Sequence, residues 1–127
     1  MINEVYLGDR SILGVEIDSW KCEVRIKISA MSFLFQSGYN KKDWDESDNI
    51  KNGYIVFSDV LYFESSPPGM MPGDYIVENH LEETDGVISF TIVSVGRPYS
   101  DEVNTLIIKC RKSWIEDEFK RRVTRMR

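Results

Sequence analysis

Residues 20–28, WKCEVRIKI, carry the clearest strand pattern in the chain. Apolar residues alternate in this stretch with charged ones. The apolar positions are Trp20, Cys22, Val24, Ile26 and Ile28. Because successive side chains of a β-strand point to opposite faces, this alternation predicts a half-buried antiparallel strand. The apolar positions are expected to face the core and the charged ones the solvent.

Similar patterns on both sides of this stretch predict further strands. They span residues 12–17, 54–63, 75–81, 87–95 and 105–112. The dipeptide Asp18-Ser19 would join the first of them to residues 20–28. Residues 36–53 show no hydrophobic period, and residues 65–74 are rich in proline and glycine, so both segments are predicted as loops. Residues 82–86, which end in Asp-Gly, would close a hairpin.

In the C-terminal segment the spacing of the apolar residues changes from that of a strand to that of a helix. Ser113 and Glu116 have the spacing of a helix capping box. Apolar residues then follow at helical spacing, namely Ile115, Phe119, Val123 and Met126. The expected fold is therefore mainly β (α+β): an antiparallel sheet, arranged as a sandwich or partly open barrel of about six or seven strands, with a C-terminal α-helix. Residues 1–127 are expected to form a single domain.

The charge is acidic and unevenly placed. The chain has 16 basic and 21 acidic residues, a net charge of −5. Residues 1–108 hold 8 basic and 18 acidic side chains, or −10, and residues 109–127 hold 8 and 3, or +5. An acidic body attracts basic partners and repels phosphate backbones, so a protein partner is expected rather than a nucleic acid.

The sequence indicates no metal site, no cofactor and no targeting segment. Cys22 and Cys110 form no CxxC pair and lie far from His80, the single histidine, so a zinc site is not supported and both thiols are expected in the core. The N-terminus lacks the pattern of a signal peptide, and the apolar runs are too short for a membrane span. A cytoplasmic protein without membrane contact is the expectation.

Catalysis is not expected either. His80 lies two residues from Glu78 and from Glu82, on the same face of the predicted strand. A lone histidine is more often a surface group than a general base, because nucleophilic catalysis needs a placed nucleophile as well. We therefore expect a binding protein and not an enzyme.

Two segments are candidate partner-binding sites. Trp44 lies among carboxylates, which are Asp43, Asp45, Glu46 and Asp48. Their spacing fails that of a calcium-binding hand, which needs glycine at the sixth position and glutamate at the twelfth. A tryptophan flanked by acidic residues would suit a basic partner surface. Alternatively, the loop folds back and Trp44 packs on its own sheet.

The second candidate is the pair Met70 and Met71, which lies between Pro68 and Pro72. Methionine repacks easily and is used on binding surfaces, so this stiffened loop could present an adaptable apolar contact. It could equally plug one end of a barrel.

Residues 54–79 carry a resemblance to known proteins. An aromatic-rich strand with Phe57, Val60 and Phe63 is followed by a Pro-Gly loop and then by Gly-Asp-Tyr-Ile at residues 73–76. This segment, about a fifth of the chain, resembles small bacterial proteins encoded beside toxins. Many of these are immunity proteins of polymorphic-toxin and contact-dependent growth inhibition systems. The resemblance implies binding to a cognate toxin domain, often a basic nuclease, and blocking of its active site.

Three hypotheses follow. The first is a toxin-neutralising immunity protein, present as a monomer or weak homodimer. The second is a small β-barrel that binds a ligand or catalyses a reaction in its mouth, which a deep apolar pocket with convergent polar groups would favour. The third is an assembly subunit that associates with itself through an edge strand.

Overall fold

The computed structural model describes residues 5–8, 10–36, 42–44, 50–96 and 103–123. This part of the chain forms nine strands, all paired antiparallel. They are β1 (Val5–Tyr6), β2 (Ile12–Asp18), β3 (Glu23–Gln36), β4 (Lys42–Trp44), β5 (Ile50–Ser66), β6 (Tyr75–Thr84), β7 (Val87–Val95), β8 (Val103–Glu116) and β9 (Arg122–Val123). The predicted antiparallel β class is confirmed. No helix long and apolar enough to cross a membrane occurs among the described residues.

The strands form one sheet whose two ends meet. Its main path is β1-β3-β5-β8-β7-β6, with β2 and β4 also paired to β3 and β9 paired to β8. The N–H of Ile12 donates to the carbonyl of Asp74 at 2.6 Å, and the N–H of Ile76 donates to the carbonyl of Arg10 at 2.7 Å. These two hydrogen bonds join the start of β2 to the start of β6.

The concave side of the sheet is filled by one apolar core. Along β7, inward residues such as Ile88, Phe90 and Ile92 are buried in strict alternation. The rings of Phe57 and Phe90 lie 5.3 Å apart, although β8 separates β5 from β7 in the sheet. The sheet therefore curls until side chains of non-adjacent strands touch, and each buried phenylalanine contributes about 1.5–3 kcal/mol relative to an exposed one.

The hairpin between β6 and β7 follows from its turn sequence. Asp85 and Gly86 both have positive φ, 54° and 77°, and Thr84 pairs with Val87 across them. Two consecutive residues with positive φ match the right-handed twist of the flanking strands. The turn forms at Asp-Gly as predicted, but the predicted connection of residues 82–86 is wrong at residues 82–84, which belong to β6 and pair with β7.

The predicted C-terminal helix is wrong. β8 continues through Glu116, and Ile115 pairs with Ile55 of β5 on one side and with Val123 of β9 on the other. The hydroxyl of Ser113 donates to the carbonyl of Val56 at 2.8 Å and does not cap a helix. Residues 113–116 find backbone partners in β5, and residues 115–116 also in β9, so tertiary context overrides the local helical signal.

A side-chain-stabilised turn brings β9 back onto β8. The Oδ1 atom of Asp117 accepts the N–H of Phe119 at 2.8 Å and that of Arg121 at 2.9 Å. Lys120 takes a left-handed φ of 62°. Aspartate favours such turns because its carboxylate replaces a backbone acceptor. Met126, the last residue of the predicted helix, lies outside the described residues.

The stretch at residues 20–28 is only partly strand. Val24, Ile26 and Ile28 are buried as predicted. Trp20 and Cys22, however, lie in the turn between β2 and β3, and Trp20 is 95% exposed. The Oδ1 atom of Asp18 accepts the N–H of Lys21 at 3.0 Å, so the connection takes more residues than the predicted dipeptide Asp18-Ser19. The alternation alone does not tell where such a turn ends.

The predicted loop at residues 36–53 also contains strand residues. β3 runs to Gln36, β4 comprises Lys42–Trp44, and β5 begins at Ile50. β4 pairs with the end of β3, and Ile50 pairs with Met31. These pairings are decided by the neighbouring strand, since residues 36–53 carry no hydrophobic period of their own.

The two cysteines are expected to differ in reactivity. Cys22 is exposed, whereas Cys110 is buried and burial raises the pKa of its thiol to about 11. Because the thiolate is the reactive form, a disulfide reagent at about pH 8 should modify Cys22 quickly and Cys110 only after unfolding in urea. In the Cys22→Ser variant the fast phase should vanish. Rapid modification of both thiols in the folded protein would contradict the buried position of Cys110.

Candidate partner-binding site

The acidic tryptophan segment is partly described. Asp43 and Trp44 belong to β4, where Asp43 pairs with Phe35 and Trp44 with Leu34. Asp45, Glu46 and Asp48 lie outside the described residues. The segment is therefore not the loop that was expected at residues 43 and 44, and its role in binding stays a prediction.

Met70 and Met71 line a surface cleft of about 550 Å³, here called the Met70–Met71 cleft. The other lining residues come from the start of β2, from the loop before β6 and from the end of β7. They are Ile12, Leu13, Pro72, Gly73, Asp74 and Gly96. Met71 is 84% exposed and Leu13 is 51% exposed. The cleft thus offers apolar atoms to solvent at the place where the two ends of the sheet meet.

The loop that carries the methionines is held at both ends. The N–H of Met70 donates to the carbonyl of Pro67 at 3.3 Å, and the N–H of Asp74 donates to the carbonyl of Val95 at 2.7 Å. Gly73 has φ +132°, and a Cβ there would lie 3.3 Å from the carbonyl oxygen of Ile12. Glycine suits this position because L side chains rarely adopt this φ, and a Cβ would also crowd the carbonyl of Ile12. The exposed Met71 side chain is consequently presented from a fixed backbone.

Exposed apolar side chains continue beyond the cleft. Tyr75 pairs with Val95, and Val95 pairs with Val103, so these three residues lie side by side across β6, β7 and β8. Ile76 is buried, which places Tyr75 and its neighbours on the outer face of the sheet. Tyr75 and Val103 are both exposed. An apolar surface of this kind is typical of the centre of a protein interface.

The surrounding chain is strongly acidic. No lysine or arginine occurs between Lys51 and Arg97. The acids in this segment are Asp59, Glu64, Asp74, Glu78, Glu82, Glu83 and Asp85, so its formal charge is 0 − 7 = −7. The net charges of residues 1–108 and 109–127 do not reveal this segment. A search of the sequence for the longest stretch without lysine or arginine would have found it.

His80 lies within this acidic segment. Its Nε2 atom is 3.2 Å from Oε1 of Glu82, and both side chains are largely exposed. Among the described residues, no group of three or more His, Cys, Asp or Glu side chains is arranged to hold a metal ion. The chemistry that the site offers is thus apolar contact together with attraction of positive charge.

A second polar cluster links β3 to β8. Arg25 donates from Nε to Oε1 of Glu116 at 2.9 Å and from Nη2 to Oε2 at 3.3 Å, while Trp114 donates from Nε1 to Oε2 at 2.9 Å. Burial opposes ionisation of Glu116, but the hydrogen bonds from Arg25 and Trp114 and the nearby positive charges outweigh it and lower its pKa. A carboxylate with a lowered pKa and both oxygens occupied stabilises the sheet and is poorly suited to act as a base.

Comparison with known proteins assigns the chain to a family without assigning an activity. Residues 1–124 match the model of a family of unknown function, DUF6258. No curated protein and no solved structure gives a significant match. The molecular surface is therefore the source of any functional inference.

Proposed function

Because the chain belongs to this family of unknown function, we propose its role from its surface: it is an immunity protein that binds a basic toxin domain and blocks the active site of that toxin. The observation that carries the proposal is the exposed apolar Met70–Met71 cleft, whose methionine loop belongs to a sequence segment, residues 52–96, with seven acidic and no basic residues. The resemblance of residues 54–79 to immunity proteins points the same way. In this proposal the protein acts in the cytoplasm as a monomer.

The cleft and the charges would contribute to toxin binding in different ways. Apolar side chains such as Met71 and Leu13 gain free energy when a partner covers them, about 25 cal/mol for each Å² of apolar surface removed from water. Methionine adapts to the shape of what it meets. The seven carboxylates of residues 52–96 speed the encounter with a basic partner and make association sensitive to salt.

A second candidate function is binding of a small molecule in the same cleft. Its volume of about 550 Å³ falls within the range of roughly 300–1,000 Å³ that is typical of ligand sites. Of the lining residues that the structure describes, only Asp74 is ionisable. This favours a protein partner, and a ligand screen is the measurement that separates the two candidates.

The immunity proposal is tested by affinity purification from the native host. The tagged protein is expressed together with its neighbouring genes, and the proteins retained at low and moderate salt are identified by mass spectrometry. Recovery of one basic toxin domain at near-equal stoichiometry is the expected result. Recovery of nothing, from a lysate in which such a toxin is shown to be present, would overturn the proposal.

Met71→Lys is expected to raise the dissociation constant of the toxin complex about tenfold, or 1.4 kcal/mol. The substitution replaces an exposed apolar contact by a charge that repels a basic partner. Ile17→Lys is the matched control, because Ile17 is 57% exposed on β2 but does not line the cleft. Titration calorimetry should show less than about a twofold change for the control. Equal effects of both substitutions would mean that net charge matters and the cleft does not.

A further inference from the structure

We infer that β6 takes up an extended basic segment of the partner as an additional strand along its exposed edge, residues 77–84. The inference rests on the proposed function and names the place where the partner docks.

None of the described strands covers the edge of β6 beyond Ile76. Within the ranges that the structure describes, β7 is the only strand paired with residues 77–84. The hydrogen bonds to the start of β2 end at Ile76. Every residue from Val77 to Thr84 except Leu81 is exposed. An exposed edge offers a row of N–H and C=O groups, which is the template that strand addition uses.

Charge decides what kind of strand fits this edge. The hairpin formed by β6 and β7 carries Glu78, Glu82, Glu83 and Asp85 and no lysine or arginine. Glu83 pairs with the buried Ile88, whereas Glu82 pairs with Ser89, so carboxylates occur on both faces of the strand. An added strand with basic side chains would face opposite charge on both of its faces, and such cross-strand pairs contribute about 0.2–1 kcal/mol each.

The same charges disfavour pairing between two copies of β6. An antiparallel pairing centred on His80 would place Glu78 opposite Glu82 of the second copy. A register shifted by one residue would place Glu78 opposite Glu83. Like charges directly opposite each other destabilise a sheet. In these two registers like charges therefore oppose self-association, whereas a basic strand would meet opposite charge.

The test uses a defined probe, because the toxin is not identified. The probe is a short peptide of alternating lysine and threonine, and its matched control is the same peptide N-methylated at alternate residues. The control keeps the charge but loses the donors along one edge. Binding is measured by fluorescence anisotropy, and the contact is located by amide hydrogen exchange of the protein.

The unmethylated peptide should bind at least about tenfold more tightly than the methylated one and should slow exchange of amides in residues 77–84. Glu82→Lys should weaken its binding severalfold. Glu118→Lys, which reverses an exposed acid in the turn between β8 and β9, should leave binding unchanged. Equal binding of both peptides, no binding, or protection confined to other strands would each overturn the inference.

This test separates the inference from the proposed function. If affinity purification recovers a toxin whose affinity is insensitive to Glu82→Lys and whose complex leaves residues 77–84 unprotected, the immunity role stands and the β6 site is wrong. If the peptide adds to β6 but no toxin is recovered, the edge binds a basic strand and the immunity role is wrong.

Discussion

Gly53→Ala is expected to lower the free energy of unfolding by about 2–3 kcal/mol. A Cβ at residue 53 would lie 2.7 Å from the carbonyl oxygen of Glu116 and 2.5 Å from Cγ2 of Ile50. The carbonyl belongs to β8, which is paired with β5 at Tyr54, so it cannot move away without disturbing that pairing. The added methyl group therefore forces two central strands apart.

Gly14→Ala is the matched control for this prediction. Gly14 also lies in a strand, but a Cβ there would meet no atom within 4 Å. Alanine restricts the unfolded chain, so the control should be neutral or stabilised by about 0.5 kcal/mol. Urea unfolding followed by circular dichroism measures both variants. Similar losses at the two positions would contradict the close approach of β5 and β8 at Gly53.

Glu116→Ala should lower the free energy of unfolding by about 2–3 kcal/mol. The Glu116 side chain is 7% exposed and accepts hydrogen bonds from Arg25 and from Trp114. Its removal leaves the indole N–H of Trp114 without its acceptor and leaves the guanidinium of Arg25 with only Glu23 as a carboxylate partner. Glu118→Ala removes a neighbouring but exposed carboxylate and should change stability by less than about 0.5 kcal/mol.

The effect of Glu116→Ala should depend on pH. The pKa of Glu116 is lowered in the folded protein, because the hydrogen bonds and positive charges around it outweigh the cost of burial. A lowered pKa contributes stability that is present above the unfolded-state pKa of about 4.3 and is lost as the pH falls through the folded-state pKa. The difference between wild type and variant should be largest near neutral pH and shrink below about pH 4. A difference that grows in acid would mean that Glu116 is protonated in its native contacts.

Local sequence was sufficient wherever one strand or one turn decides its own structure. Val24, Ile26 and Ile28 are buried as their alternation predicts, because a strand with one charged face has a single favourable orientation. Asp85-Gly86 forms the predicted turn, because these two residues tolerate positive φ. The antiparallel β class follows from several such signals in succession.

The candidate site was predicted only in part. Met70 and Met71 were identified from their composition and from the prolines around them, and Met71 is exposed. The cleft itself also needs Leu13 and Gly96, which are distant in sequence and come together only when β2 and β7 meet the loop. The exposed edge of β6 is likewise a property of strand order, which no local pattern encodes.

By itself, the sequence determined that this protein is an antiparallel β protein with an acidic body and an adaptable apolar loop. Those properties depend on alternation, turn residues and charge, which act over a few residues. The tertiary structure decided that residues 113–116 form a strand and that β6 has an exposed edge within the described residues. Both outcomes depend on which strands are neighbours, because the backbone hydrogen bonds of a sheet are made between segments far apart in the chain.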